Sequence, residues 1–539
     1  MVSNLETLSL KTSSFTIQNP IQLSLSLSLS LSLSLSLSLS LSLSPFMASS
    51  KALFLLCLTL FFSISISKTL LFPLTHSLSK TQFNTTHNLL KSTTTRSLAR
   101  HHHRHSHQVS LPLSPGSDYT LSLTIGTNPP QPISLYMDTG SDLVWFPCSP
   151  FECILCEGKY EPSATFPPPK IPKNSTVKCK SPSCTAVHNS HSSSDLCAMA
   201  KCPLETIEIS DCSSFSCPPF YYAYADGSFV AQLHKLSLTV PTSSSPALVL
   251  KDFTFGCAHT ALGEPIGVAG FGRGLLSLPA QLATVSPQLG NHFSYCLVSH
   301  SFNPEKVRRP SPLILGRYDE EEKRIGDKKA DFTYTNMLEN PKHPYLYSVG
   351  LAGITVGKRN IPAPAFLKRV DRKGNGGMAV DSGTTFTMLP ASLYDSVVAE
   401  FDRRVGRAHE RAAEVEETTG LSPCYYYDEK VFEVPVVALH FVGNNNNSKL
   451  KSSVVLPKRN YLYEFLDGGD EGLRKKRRVG CLMLMNGGDE KELRGGPAAT
   501  LGNYQQQGFE VVYDLDNRRV GFAPRQCSLL WERLSKSNR

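Results

Sequence analysis

Residues 133–147 read ISLYMDTGSDLVWFP, and residues 378–390 read MAVDSGTTFTMLP. In each stretch an apolar run leads into an aspartate, a small hydroxyl residue, a glycine and a second hydroxyl residue, and an apolar run follows. The two cores are Asp138-Thr139-Gly140-Ser141 and Asp381-Ser382-Gly383-Thr384, and their aspartates are 243 residues apart. This internal repeat predicts one such turn in each of two lobes.

Each residue type in these turns has a chemical role. Glycine permits a tight backbone turn at the end of a strand, and hydroxyls can donate hydrogen bonds to a carboxylate without adding charge. Two such carboxylates facing each other across a cleft cannot both ionise easily, so the pair holds one proton. Asp138 and Asp381 are therefore the candidate catalytic residues, one acting as base on a bridging water and the other as acid toward a substrate carbonyl. This chemistry works in mild acid and needs no metal or other cofactor.

The duplication of the motif matters more than the motif itself. One Asp-Thr-Gly-Ser sequence would favour an Asx-turn on the surface, because Asp, Gly and Ser are common in turns. Two copies, each placed between apolar runs, favour catalysis instead.

On these residues the chain resembles the pepsin-like aspartic proteases, and in particular their plant nepenthesin-like branch. The resemblance covers nearly everything from Tyr119 to Cys527. Residues 268–270 (Val-Ala-Gly) and 500–502 (Thr-Leu-Gly) are similar to the apolar-apolar-Gly segments that complete a ψ-shaped loop beneath each aspartate in that family, although Thr500 replaces an aliphatic residue. The resemblance implies a mainly β, bilobal fold of two pseudo-symmetric, six-stranded-type β lobes with the active-site cleft between them.

The residues around the two aspartates take supporting roles in this interpretation. Ser141 and Thr384 would orient the outer carboxylate oxygens. By the resemblance, Thr139 and Ser382 would brace the two turns against each other. The residues expected to line the substrate groove are Gly140, Tyr224, Asp226, Gly383 and Thr385.

The family's flap, a hairpin that folds over the cleft and carries a tyrosine, resembles residues 222–228, YAYADGS. Tyr224 takes the flap position, and the Asp-Gly pair after it is a favourable hairpin turn. Ala225 stands where the family usually has glycine; if that position needs a positive φ, alanine would strain the turn and alter flap mobility or specificity. The alternative is that these tyrosines only pack. Trp145 is either the neighbour of Tyr224 or an ordinary core residue.

The first 115 residues divide into three predicted segments. Residues 1–46 include an uninterrupted Leu-Ser repeat at 23–44 that an in-frame CT-dinucleotide repeat would encode, so we interpret them as leader sequence read as protein, with Met47 as the working start. Peptides from this segment in the primary product would refute that interpretation. Residues 47–67 have the charged start, short apolar run and small-residue end of a secretory signal peptide, with a signal anchor as the alternative. Residues 68–115 are predicted to be a solvated propeptide that precedes the folded region.

The remainder of the chain is assigned to two lobes. Residues 116–335 are predicted to form the N-terminal lobe, with a Cys-rich insertion and the flap, and residues 336–539 the C-terminal lobe. Within the latter, Leu389–Arg407 has helical spacing of its apolar residues and is expected to pack outside the second lobe.

Charge argues against a polyanion-binding protein. The chain has 54 Lys+Arg and 45 Asp+Glu, for a formal net charge of +9, but residues 1–115 hold eight basic residues and one acid. The rest therefore carries only +2, which is too little for a nucleic-acid-binding domain. Five histidines at 101–107 could bind a metal, but they lack Cys or carboxylate partners, so a propeptide without a metal site is the preferred interpretation.

Fourteen cysteines follow the signal peptide, nine of them in residues 148–217. An even count behind a secretion signal predicts disulfides. Zinc is the alternative at Cys153 and Cys156, which have C-x-x-C spacing. By the family resemblance, Cys424 pairs with Cys481.

Together these features predict an aspartic endopeptidase made as a zymogen in the secretory pathway and delivered to the extracellular space or the vacuole. We expect a monomer acting on protein or peptide substrates, with no nucleic-acid partner and no stable membrane span. Sequons at Asn174 and Asn446 predict glycosylation. The rival interpretation is a non-catalytic binding or inhibitor protein on the same fold; the presence of both aspartates favours the enzyme.

Overall fold

The computed structural model describes residues 70–76, 87, 90, 91, 93, 94, 97, 119–156, 166–188, 191–224, 227–241, 247–263, 266–285, 287–300, 309–316, 332–428, 432–443, 452–467, 477–491 and 493–537. The predicted leader, signal peptide and histidine cluster lie outside these residues. So do Ala225 and Asp226 of the flap and the sequon residue Asn446.

Strands dominate the described part of the chain. The first are β1 (Leu70–His76), β2 (Tyr119–Ile125), β3 (Gln131–Asp138), β4 (Val144–Ile154), β5 (Phe220–Tyr224), β6 (Gly227–Val240), β7 (Leu248–Leu262), β8 (Gly267–Gly270), β9 (His292–Cys296), β10 (Ser311–Leu315), β11 (Thr333–Leu338) and β12 (Ser348–Val349). They are followed by β13 (Leu351–Val356), β14 (Arg359–Pro362), β15 (Met378–Val380), β16 (Thr387–Leu389), β17 (Cys424–Tyr427), β18 (Val437–Phe441), β19 (Ser452–Leu456), β20 (Leu462–Asp467), β21 (Arg477–Leu482), β22 (Leu484–Asn486), β23 (Ala499–Leu501), β24 (Phe509–Asp514) and β25 (Arg519–Pro524). The prediction of a mainly β fold is confirmed.

The helices are short, with two exceptions. They are α1 (Pro182–Val187), α2 (Ser193–Met199), α3 (Leu204–Glu208), α4 (Leu278–Ala283), α5 (Pro287–Asn291), α6 (Ala391–Val405), α7 (Ala413–Thr419), α8 (Asn503–Gln506) and α9 (Cys527–Ser537), with single 3-10 turns at Lys173–Ser175, Ala365–Lys368 and Lys458–Asn460. No helix among the described residues combines the length and apolar character needed to span a bilayer.

Six strands form one antiparallel sheet to which both halves of the chain contribute. The order is β1-β10-β9-β24-β25-β11, so the two central strands, β9 and β24, come from opposite halves. Every residue of β9, β10 and β24 is buried, which indicates that both faces of the sheet centre are covered. The halves are therefore joined through a common sheet.

Each half contains the same local arrangement at its turn. In the first half β3 runs parallel to β8, which places Leu135–Asp138 beside Gly267–Gly270. In the second half β15 runs parallel to β23, which places Met378–Val380 beside Ala499–Leu501. In both halves, a strand that leads into the Asp-containing turn thus lies beside a strand that leads to the glycine of an apolar-apolar-Gly segment. Two further sheets of the second half have the strand orders β14-β13-β18-β19 and β17-β21-β20.

Helix α6 confirms the helical periodicity of Leu389–Arg407. It begins after Pro390, which suits a helix start because proline's missing amide is not needed there. Its buried side chains include Leu393, Val397 and Phe401, spaced four residues apart on one face. These residues belong to the main hydrophobic core, so the helix packs on the sheets of the second half.

Strand β1 corrects one expectation from the sequence. Its residues fall within the segment predicted to precede the folded region, yet Leu70, Leu71, Phe72 and Leu74 are at most 5% exposed. The apolar run pairs with β10 and forms an edge of the six-stranded sheet. Pro73 is tolerated because an edge strand need not donate from every amide. The prediction of a solvated segment is therefore wrong for residues 70–76.

Residues near position 90 are also packed against the second half. Leu90 is fully buried in a cluster that contains Phe386. Thr94 donates from its hydroxyl to the Thr419 carbonyl at 3.1 Å. Ser97 Oγ accepts from the Phe386 amide at 3.2 Å, five residues after Asp381. These described residues too contact the folded region rather than solvent.

Candidate active site

The first turn is held by hydrogen bonds to both oxygens of one carboxylate. Strand β3 ends at Asp138, which is 3% exposed. The Gly140 amide donates to Asp138 Oδ1 at 2.9 Å, and the Ser141 hydroxyl donates to Oδ2 at 2.8 Å. Both donors are uncharged, so they orient the carboxylate without neutralising it.

The second turn repeats this geometry. Asp381 follows β15, the Gly383 amide donates to its Oδ1 at 2.8 Å, and the Thr384 hydroxyl donates to its Oδ2 at 2.5 Å. The outer oxygens are thus oriented by hydroxyls at equivalent positions. The sequence repeat is also a repeat of hydrogen bonding.

The two turns contact each other directly through Thr139 and Ser382. The Ser382 amide donates to Thr139 Oγ1 at 2.8 Å, and the Thr139 amide donates to Ser382 Oγ at 3.0 Å. Both side chains are buried, at 0% and 1% exposed. The sequence places these residues 243 positions apart, and the fold brings them into reciprocal hydrogen bonding.

The distance between Gly140 and Asp381 shows how close the second carboxylate lies to the first turn. A Cβ added to Gly140 would lie 2.7 Å from Asp381 Oδ1 and 2.9 Å from Oδ2. Real Cβ atoms do not approach so closely, so this position requires glycine. The Asp381 carboxylate therefore lies against the turn that holds Asp138.

The apolar-apolar-Gly segments lie directly beside the turns. The amide after Gly270 donates to the Asp138 carbonyl at 2.7 Å, and the Asp381 amide donates to the carbonyl before Gly502 at 3.1 Å. A Cβ at either glycine would lie 2.5–2.6 Å from backbone atoms that follow the turn. Thr500, the departure from the family pattern, is 6% exposed and continues the parallel pairing of β23, so the fold accommodates it.

The flap strands β5 and β6 form an antiparallel hairpin. Trp145 Nε1 donates to the Tyr224 hydroxyl at 2.9 Å, and the Trp145 ring stacks on Phe229 with ring centroids 3.9 Å apart. The expectation that Trp145 neighbours Tyr224 is thus confirmed, and Trp145 is a fully buried residue as well. Asp226 and Ala225, between the two strands, lie outside the described residues, so their predicted roles stay predictions.

The other predicted groove and surface residues lie as follows. Gly383 contacts the Asp381 carboxylate through its amide. Thr385 is 2% exposed, and its carbonyl accepts from the Tyr504 amide at 2.9 Å, so it continues the turn into the protein interior. Asn174 is exposed, as an acceptor for a glycan must be.

Two residues that the sequence did not single out lie near the dyad. Burial, and after it the charges of Asp142, Asp138 and Asp381, raise the pKa of Tyr345 to about 12. Burial also raises the pKa of Asp142 above its usual range. Asp142 was visible as the second acid of DTGSD, but its environment depends on residues from the other half. No motif around Tyr345 in the sequence indicates that it lies near the two aspartates.

A buried hydrogen-bond network of Tyr295, Tyr513 and Gln506 contacts the backbone of the second turn. The Tyr295 hydroxyl donates to Gln506 Oε1 and lies 2.9 Å from the Tyr513 hydroxyl. Gln506 Nε2 donates to the Leu501 carbonyl at 2.8 Å and to the Asp381 carbonyl at 3.3 Å. Burial raises the pKa of both phenols, so they stay neutral donors. The Gln505-Gln506-Gln507 run is visible in the sequence, but nothing in it indicates that Gln506 contacts the Asp381 carbonyl.

Six disulfides join described cysteines: Cys148–Cys257, Cys153–Cys156, Cys179–Cys212, Cys184–Cys217, Cys296–Cys527 and Cys424–Cys481. The C-x-x-C pair is therefore a disulfide rather than a zinc site. The pairing of Cys424 with Cys481 is the one that the family resemblance implied. Twelve of the fourteen cysteines are accounted for; Cys197 and Cys202 carry no disulfide.

Within the described residues, one group has metal-ligand spacing: Cys184, His188 and Cys217. Its two cysteines are bonded to each other, so no thiolate is left to bind an ion. His188 Nε2 lies 3.3 Å from the Pro218 carbonyl, and burial lowers the His188 pKa. This group is structural.

Comparison with known proteins identifies both family models and individual relatives. Family models described as xylanase inhibitor N-terminal and xylanase inhibitor C-terminal match residues 119–317 and 346–524. The chain is 62% identical over 442 residues to a probable aspartyl protease of Arabidopsis thaliana, covering 79% of this chain and 85% of that protein. It is 30% identical over 417 residues to aspartic proteinase nepenthesin-2 of Nepenthes gracilis, covering 76% and 78%.

Two solved structures share the fold. The basic 7S globulin from soybean aligns with a TM-score of 0.51 at 17% identity, covering 85% of this chain and 96% of that one. The structure of edgp aligns with a TM-score of 0.54 at 17% identity, covering 86% and 96%. At this identity the likeness concerns the fold alone, and it confirms the fold class expected from the sequence.

Proposed function

Because the chain belongs to the pepsin-like aspartic protease family, we propose that it is an endopeptidase that hydrolyses peptide bonds at acid pH. The observation that supports this most is the pair of equivalent turns. Asp138 and Asp381 each accept from a glycine amide and a hydroxyl, and the two turns are joined through Thr139 and Ser382. Two carboxylates oriented in this way are what general acid–base hydrolysis needs.

The proposed mechanism uses the dyad with one shared proton. The ionised carboxylate takes a proton from a water held between Asp138 and Asp381, and the oxygen of that water attacks the scissile carbonyl carbon. The protonated carboxylate gives its proton to the carbonyl oxygen, so a neutral tetrahedral diol forms. The diol collapses as one of its hydroxyls returns a proton to the carboxylate that protonated the carbonyl oxygen. The C–N bond breaks, and the proton taken from water passes to the leaving amine, so the dyad again holds one proton. Neither covalent enzyme intermediate nor metal is needed.

The substrate is proposed to be an extended peptide bound in the cleft between the two halves. Tyr224, held by Trp145, would cover it from the flap. Tyr345, which lies close to both catalytic carboxylates, would contact it from the second half. Aromatic side chains on both sides favour apolar substrate residues next to the cleaved bond.

We further propose that the protein enters the secretory pathway, carries glycans at Asn174 and Asn446, and acts as a monomer outside the cell or in the vacuole. Six disulfides support an oxidising compartment. A zymogen is supported by residues 70–76 and by Leu90, which pack against the body of the protein although they precede the first catalytic turn.

The rival function is a non-catalytic inhibitor or binding protein. It is favoured by one finding: the two matching family models carry the name of xylanase inhibitors. It is disfavoured by the completeness of the dyad and of its hydrogen bonds.

Digestion of casein at about pH 3–5, where such a dyad holds one proton, tests the proposal. We expect cleavage that pepstatin blocks and that Asp381→Asn abolishes. Asp252→Asn is the matched control, because it removes the same charge from an exposed site and should keep full activity. A properly folded protein that cleaves nothing after removal of its N-terminal segment would favour the binding protein, and activity retained in Asp381→Asn would refute the mechanism.

A further inference from the structure

The Cys-rich insertion contains two buried cysteines that carry no disulfide. Cys197 lies in α2 and is 0% exposed, and Cys202 lies just beyond the end of that helix and is 8% exposed. Every other described cysteine is paired.

The end of α2 brings these two side chains together. The Cys202 amide donates to the Cys197 carbonyl at 3.0 Å, and the Lys201 amide donates to the Ala198 carbonyl at 3.0 Å. Lys201 has a φ of 57°, in the left-handed region. These three features define a Schellman motif, in which the first and last side chains meet across the helix end. Here both are cysteines, and both belong to one small buried cluster.

The surroundings also favour a covalent link. Cys197 and Cys202 belong to a small cluster with Leu196 and the Cys179–Cys212 disulfide, separate from the main core. Helix α2 has only seven residues, and helices that short are marginal without tertiary support. A capping box of Ser192 and Asp195 fixes its beginning, and the two backbone hydrogen bonds of the Schellman motif close its end, next to both cysteines.

We propose that Cys197 and Cys202 form a seventh disulfide in the mature protein. Both thiols lose their hydrogens and an S–S bond forms. The two electrons and two protons pass to the disulfide of a thiol oxidoreductase, which becomes a dithiol. The step rests on the proposed secretory route, because disulfides form and persist in oxidising compartments.

The consequence is a fixed helix end within the insertion that leads to the flap. The new bond would tie α2 to the segment that begins α3. The neighbouring Cys184–Cys217 bond ends three residues before the flap strand β5. The insertion would then hold its shape through covalent bonds rather than through a large apolar core, as small Cys-rich segments commonly do.

The order of residues makes the bond easy to detect. Cleavage before Asp195 and Asp211 with Asp-N protease releases residues 195–210, which contain Cys197 and Cys202 as their only cysteines. Trypsin then cuts after Lys201. The two products, DLCAMAK and CPLETIEIS, stay joined only if the disulfide exists. The full chain, secreted from a eukaryotic host, is denatured and alkylated without reductant before digestion.

We expect the joined pair, lighter than the two thiol peptides by two hydrogens and separated by reduction. If Cys197 and Cys202 are alkylated while Cys424 and Cys481 remain bonded to each other, the seventh disulfide is refuted, and the proposed oxidising compartment is still supported. Alkylated thiols at Cys424 and Cys481 as well as at Cys197 and Cys202 would overturn both the seventh disulfide and the proposed oxidising compartment. A Cys197→Ser variant is the control: it should expose Cys202 as one new alkylatable thiol, and alkylation of Cys202 to the same extent in the unmodified protein would also overturn the proposal.

Discussion

Thr139 and Ser382 hold each other by two reciprocal hydrogen bonds, from the Ser382 amide to Thr139 Oγ1 at 2.8 Å and from the Thr139 amide to Ser382 Oγ at 3.0 Å. Each hydroxyl also donates to a carbonyl of the opposite half, Thr139 to Val380 and Ser382 to Met137, both at 3.1 Å. Each hydroxyl thus both accepts and donates across the junction. The position of Asp138 is therefore coupled to that of Asp381.

Replacing Ser382 with alanine should disturb this coupling. The variant leaves the buried Thr139 amide without its acceptor, which costs about 1–3 kcal/mol. We expect the urea midpoint to fall and kcat to drop by roughly tenfold to a hundredfold, since each 1.4 kcal/mol is tenfold in rate. Ser382→Thr, which keeps the hydroxyl, should recover most of both. An alanine variant with unchanged kcat would show that the junction does not position the dyad.

Gly140 should tolerate no side chain. Gly140→Ala would place a methyl group 2.7 Å from Asp381 Oδ1, so the carboxylate or the turn must move. Because a displacement of about 1 Å in reacting groups can cost a hundredfold in rate, we expect casein hydrolysis to fall at least that far. The fold, read from circular dichroism, should persist.

Gly496→Ala is the matched control for that substitution. Its nearest neighbour would be His343 Nε2 at 3.8 Å, an ordinary contact. We expect activity and stability close to those of the unmodified protein. Equal activity in the two alanine variants would contradict the close approach of Asp381 to the first turn.

The two Asp-containing turns could be predicted from the sequence because each is a contiguous run whose residues hydrogen-bond within the run. Helix α6 could be predicted for a similar reason, since its periodicity is local. The neighbourhood of Trp145 and Tyr224 followed from the family resemblance, not from any local signal.

Other parts depend on contacts between distant residues. Strand β1 looked like part of a solvated segment because its partner, β10, begins 235 residues later at Ser311. Tyr345 and Gln506 lie far from the Asp-Thr-Gly-Ser motif in sequence, and only the fold brings them to the dyad. The even cysteine count indicated disulfides, but no feature of the count could reveal which two cysteines would meet at a helix end.

Tyr224→Phe should weaken the flap. It removes the acceptor for the indole N–H of the buried Trp145, whose Nε1 lies 2.9 Å from the Tyr224 hydroxyl. We expect kcat/KM for peptide substrates to fall about tenfold, in line with one lost hydrogen bond of about 1 kcal/mol or slightly more. Tyr221→Phe, at a site 67% exposed on the same strand, should change little. Equal losses in both variants would indicate a general effect on the hairpin.

Glu400 of α6 binds three arginines, two on its own helix and Arg359 on β14, so Arg359 links the helix to that strand. Its side chain is 1% exposed and accepts from Arg403 at 2.7 Å, from Arg404 at 2.6 Å and from Arg359 of β14 at 3.2 Å. Hydrogen bonds, those from Arg403 above all, lower the pKa of Glu400 from its usual value of 4.5 to about 2. The carboxylate therefore stays charged in conditions under which most others are protonated.

The lowered pKa of Glu400 predicts how the stability of the protein changes in acid. A folded-state pKa of about 2 below an unfolded value of 4.5 contributes stability that is fully present above pH 4.5 and is lost as pH falls through 2. Glu400→Gln should thus lower the melting temperature at pH 7 and still do so at about pH 4, near the proposed working range, while the difference should disappear toward pH 2. Glu417→Gln, at an exposed site of α7, is the control and should leave the curve unchanged. A Glu400→Gln effect that vanished already at pH 4 would mean that the arginines do not hold this carboxylate charged in acid.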